Sequence, residues 1–99
     1  MEVIIKKSSK ENKKLDAIID GKKTVSFGQK GASDYTIHQD DNRKDRYINR
    51  HKNNETWNLS GIKTAGFYAR NILWNKKTIQ ESVNDLNKRY KSVKFIYKN

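Results

Sequence analysis

The sequence predicts an α+β domain spanning residues 1–99: a small, mostly antiparallel sheet with two to three helices packed on one face. Three observations point there. Apolar and polar residues alternate near both ends of the chain, Asp20-Gly21 joins two of the alternating runs, and two helical patterns lie between that hairpin and the last strand.

The stretch EVIIKK at 2–7 forms the N-terminal strand. In KKLDAIID, Leu15, Ala17 and Ile19 alternate with Asp16, Ile18 and Asp20. The return run sets Val25 and Phe27 against Thr24 and Ser26. A type I′ turn needs positive φ at both central residues, which Asp-Gly supplies, so a β-hairpin covers about 14–28. Beyond a glycine loop, residues 33–54 are polar and helix-prone, with Asp40 as N-cap and Tyr47, Ile48 and His51 as a narrow buried edge. Trp57 pins the loop over 52–62.

Two stronger helices follow. Ala65, Tyr68, Ala69, Ile72 and Leu73 share one arc of a helical wheel, while Phe67 and Trp74 fall on the other side, flanking Arg70 and Asn71. Thr78-Ile79-Gln80-Glu81 is a capping box. After it, Ile79, Val83, Leu86 and Tyr90 make one stripe, with Asp85 and Arg89 as an i,i+4 pair on the solvent side. Val93, Phe95 and Tyr97 alternate with Lys94, Ile96 and Lys98 in a C-terminal strand, which returns to the sheet edge or pairs with the first strand.

Hydrophobic residues make up 33% of the chain, below the usual ~45–50%, so the core depends on its ten aromatics. Their spread and periodicity argue against disorder. With no cysteine, disulfides and thiolate metal sites are excluded. The longest apolar runs are three residues, such as Ile72-Leu73-Trp74, which predicts neither a signal peptide nor a membrane span. The expectation is a soluble, intracellular protein.

Twenty-two Lys and Arg against eleven Asp and Glu give a net charge of +11, which attracts polyanions, nucleic acid before membrane. Residues 1–30 carry eight basic and four acidic groups, residues 31–60 five of each, and residues 61–99 nine and two. The middle segment therefore neutralises itself through pairs such as Asp40/Lys44. The unbalanced cations sit at the two ends of the chain and merge into one patch if the terminal strand joins the hairpin's sheet. The phosphate-binding candidates are Lys13, Lys14, Lys22, Lys23, Arg70, Lys76, Lys77, Thr78, Lys88, Arg89, Lys91 and Lys94. Lys76 and Lys77 precede the capped helix, where the macrodipole already makes cations mildly unfavourable and an anion favourable. The plain alternative leaves both lysines in water. Phe67 and Trp74 could stack bases, but a chain this poor in apolar residues needs them as core.

Catalytic patterns are weak. His38 and His51 have the chemistry of an acid/base pair but no specified geometry. His51 and Glu55 lack a third metal ligand, Asp34, Asp40, Asp41 and Asp45 lack calcium-loop spacing, and no nucleotide-loop, serine-elbow or zinc-protease motif occurs. No enzyme, cofactor or metal is expected.

The strings FGQKGASDYTIHQDDNRKDRYINRHKNNETW and TAGFYARNILWNKKTIQESVNDL resemble an uncharacterised family of short basic proteins encoded by giant double-stranded DNA viruses (nucleocytoplasmic large DNA viruses, Mimivirus-like). The shared pattern is Phe27-Gly28, Ser33 to Thr36, His38, Asp40, Arg43, Tyr47, Arg50-His51 and Trp57, then Thr64 to Phe67, Arg70, Leu73 to Asn75, Thr78 and Glu81-Ser82. It departs at Lys77, where the family often has proline, an ordinary first-turn residue. The resemblance implies a viral setting, in the replication compartment of the host cytoplasm or in the virion. It supplies no activity, and its shared residues include architectural ones: Trp57, Phe67 and Trp74 as core, Arg50 and His51 as buried partners. The expected function is sequence-independent nucleic-acid binding, DNA before RNA, that organises or packages viral DNA. A virion structural or protein-interaction module with an acidic partner is the alternative. A homodimer or contacts with other virion proteins are compatible with either, and no membrane partner is expected.

Overall fold

A computed structural model describes residues 1–98. Strands β1 (Glu2–Lys7), β2 (Lys13–Ile19), β3 (Lys23–Gln29) and β4 (Lys94–Tyr97) form one mixed sheet in the order β3-β2-β1-β4. β1–β2 and β2–β3 are antiparallel, and β4 runs parallel to β1. A parallel pair needs a long crossover; here all the helices supply it. These are α1 (Tyr35–His38), α2 (Asp41–His51), α3 (Ala65–Tyr68) and α4 (Ile79–Arg89), with a 3-10 turn at Leu59–Gly61 and a π-helical turn at Ala69–Leu73.

The period-two pattern becomes a one-sided core. Val3, Ile5, Leu15, Ala17, Ile19, Val25, Phe27 and Phe95 are buried toward the helices, where they meet Phe67, Tyr68, Ile72, Leu73, Val83 and Leu86. The opposite face carries Ile4, Ile18 and Ile96, all half-buried. Asp20 and Gly21 have φ of 50° and 68°, the two positive values a type I′ turn requires. Asp20 also accepts the Glu2 N–H and donates its own N–H to the Glu2 carbonyl, tying the hairpin to β1.

The 65–74 helix departs from a regular wheel. Asn71 Nδ2 donates to the Phe67 carbonyl at 2.9 Å, the acceptor that an α-turn assigns to the Asn71 backbone N–H. The ladder widens, and the Trp74 N–H reaches back five residues to Ala69. This widening keeps Ile72 and Leu73 in the core and sends Trp74 toward α2. On α4, Thr78 accepts the Glu81 N–H at 3.1 Å as expected, but its hydroxyl donates to Glu81 Oε1. Only half of a capping box forms. The outer edge of β4 is closed by a side chain: Asn87 donates to the Phe95 carbonyl and accepts the Phe95 N–H, both at 2.9 Å.

Candidate nucleic-acid interface

Most of the cationic side chains are free. Of the Lys and Arg residues, all but Lys13, Lys14, Lys44 and Arg70 are exposed. Among the described residues only Lys14 and Arg89 are paired with a carboxylate. Strand register divides the surplus between two ends of the sheet. Lys22 and Lys23 at the hairpin tip share one end with Lys94, and α4 delivers Lys88 and Lys91 there. Lys6, Lys7, Lys13 and Lys98 occupy the other end, about 13–20 Å away at the rise of a strand. β4 does join the hairpin's sheet, yet the cations form two groups rather than the single patch expected.

Several candidates have internal partners. Lys14 pairs with Asp34, which is 2% exposed and also accepts the Thr36 N–H and hydroxyl as the cap of α1. Arg70 donates to the Trp74 carbonyl at the end of the π-turn and lies 5.5 Å over the Trp57 ring. Burial, and then Arg89, hold its pKa below the usual arginine value. The Arg89 guanidinium bonds Asp85 and Asn71, and Asp85 also accepts from Asn75. That ion pair belongs to the seam between α4 and the π-turn, not to a purely solvent face. At the start of α4, Glu81 already places a carboxylate on Thr78, and Lys76 shares its surroundings with Glu81 and Asp85. The expected anion site there is thus supplied with negative charge by the chain itself, and only Lys77 is left outside that acidic surface.

The middle segment is net neutral, but its charges do not pair as Asp40/Lys44. Asp40 caps α2, accepting from Asn42 and Arg43, while Lys44 turns away to donate to the Asn75 carbonyl at 2.6 Å over the Tyr35 ring. Burial, Arg70 and Lys76 together hold the Lys44 ammonium below the usual lysine pKa. Arg43, Arg46 and Arg50 are exposed and without ion-pair partners among the described residues. At 100° per residue they fall within an arc of about 60°, with Asp41 and Asp45 on the far side. Arg50 is exposed rather than a buried partner. Counting charges along the segment concealed this ridge; a helical wheel would have found it.

Beside the ridge, four rings stack in series. His51 and Tyr47 centroids lie 4.4 Å apart, Tyr47 and Trp74 4.4 Å apart and 4° from parallel, and Trp74 and His38 5.2 Å apart. Two rings separate the imidazoles, so His38 and His51 do not face one phosphate. His38 Nδ1 accepts the Asp40 N–H, and His51 pairs with Glu55 at 3.3 Å. Glu55 in turn holds the Trp57 indole N–H. No group of three or more metal-ligating side chains occurs among the described residues. No helix there is long and apolar enough to cross a membrane.

Between this pile and the β3–α1 loop lies a cleft of ≈ 490 Å³, floored by Gly28, Ala69 and Leu73 and rimmed by Lys14, Ser33 and Arg50. Gly28 has φ +76°, and a Cβ there would stand 2.7 Å from Leu73 Cδ1. The floor therefore depends on glycine.

A model of a family of unknown function (DUF5754) matches residues 3–51. The match runs from β1 through the arginine ridge to His51 and stops short of Trp74, covering just under half of the chain. No curated protein and no solved structure matches.

Proposed function

We propose that this protein binds nucleic acid, DNA before RNA, through phosphate contacts that read little sequence, and that it organises or packages the genome of a giant double-stranded DNA virus. The role is binding without catalysis. The observation that carries the proposal is the uncompensated charge: a surplus of +11 on a small body in which only two cations have a carboxylate partner among the described residues. Lys22, Lys23, Lys88, Lys91 and Lys94 at one end of the sheet, and Lys6, Lys7, Lys13 and Lys98 at the other, suit contact with separate stretches of backbone. Compaction requires that kind of bridging. The resemblance to viral basic proteins supplies the setting.

Each neutralised phosphate releases counterions, so duplex affinity should fall with a log–log salt slope of about −0.9 per contact. Electrophoretic shifts across a salt series should give a slope of several units. Absence of binding at about 50 mM salt, or micromolar binding that ignores salt, would reject the proposal and favour a module for an acidic protein partner.

A further inference from the structure

The cleft beside the ring pile has a composition that free phosphate contacts do not need. Its volume, ≈ 490 Å³, lies within the range of small-molecule sites, roughly 300–1,000 Å³. Its floor is apolar, and the Tyr47–Trp74 stack stands as a rigid wall. The polar groups at the rim are unbalanced toward donors. Arg50 has no partner among the described residues, and Lys14 uses one N–H of three on Asp34. The one carboxylate lining the cleft, Asp34, already accepts three hydrogen bonds. The cleft thus has more unfilled capacity for an anion than for a cation. Arg43 and Arg46 extend the same donor character along α2, away from the mouth.

A ligand matching these features has a flat, largely apolar part and an attached anion, with further anions at regular spacing along a strand. We infer that the cleft takes one unpaired nucleotide: the base lies on Leu73 and Ala69 against the ring pile, its phosphate meets Arg50, and neighbouring phosphates follow Arg46 and Arg43. The inference rests on the nucleic-acid proposal and adds to it a preference for unstacked bases, which contacts to backbone alone do not create.

The test compares oligothymidylate with an abasic strand of equal length and charge, alongside duplex DNA and free thymidine monophosphate. The thymidylate strand should bind roughly tenfold tighter than the abasic one, within the range of one base contact. Ala32→Trp fills the mouth from an exposed loop position. It should erase that advantage while duplex affinity stays within about twofold, and Arg50→Gln should weaken binding of both strands. A second readout needs no variant: the wild-type methyl resonances of Leu73 and Ala69 should both shift on adding oligothymidylate. Equal affinity for the two strands, or unmoved methyls, overturns the nucleotide site while duplex binding still upholds the broader proposal. Binding to no nucleic acid overturns both. Saturable binding of the free nucleotide that Ala32→Trp abolishes, with no gain in the strand, assigns the cleft to a mononucleotide and overturns strand recognition.

Discussion

The Tyr68 ring is completely buried against Phe27 and Phe67, yet its hydroxyl has no hydrogen-bond partner among the described residues. Burial pushes the phenol pKa up and keeps the group neutral. An unsatisfied buried hydroxyl costs about 1–3 kcal/mol, so Tyr68→Phe should raise stability by about 1 kcal/mol in urea melts. Gly28→Ala should act in the opposite sense. It combines a left-handed backbone with a contact against Leu73, and a loss of about 2 kcal/mol is expected in the same melts. Local partnerships were legible at this scale: Asp40 and Thr78 cap the helices their spacing announces, because a cap and its acceptor lie within one turn. The Lys14–Asp34 pair was not, because the two residues are far apart in sequence and each looks like a surface charge.

Asn87 shows how one side chain can finish an element. By bonding both the Phe95 N–H and carbonyl, it takes the place of a fifth strand and blunts an edge that otherwise invites pairing with another chain. Asn87→Ala should cost about 1–2 kcal/mol and raise self-association, measured by light scattering at fixed protein concentration. The hairpin and α4 were readable because their patterns are strictly periodic. The 65–74 helix was readable only as helical. Its widened turn follows from where the Asn71 amide finds acceptors, Phe67 and Trp57, and a helical wheel assumes a uniform ladder. The same widening carries Trp74 to Tyr47, so the ring pile and the cleft had no signature in the sequence spacing.

Two carboxylates tie the molecule's stability to pH. Burial alone would raise the Asp16 pKa, but hydrogen bonds from Ser26 and Ser8, the Ser9 backbone and the charge of Lys10 outweigh it, leaving the group below its ordinary value of 3.8. Asp85 is likewise lowered: burial, the largest single effect, raises it, but Asn75, Arg89 and Lys76 together outweigh it. A depressed carboxylate contributes its full stability above its unfolded value and loses it as pH falls through the folded one. Thermal melts should therefore lose stability progressively as pH falls through and below the ordinary carboxylate value of 3.8, and Asp16→Asn should remove part of that fall. The fold class was legible because alternation and caps agreed with one another. The distribution of charge was not, because it depends on register between strands and on which way α2 turns. The β1–β4 pairing has one more consequence. Residues 2–5 must wait for residues 94–97, so on the ribosome the hairpin and β1 can assemble early while the sheet stays open on one side. Joining the two remote segments costs on the order of 4 kcal/mol of closure entropy, so β4 is the last strand to join the sheet.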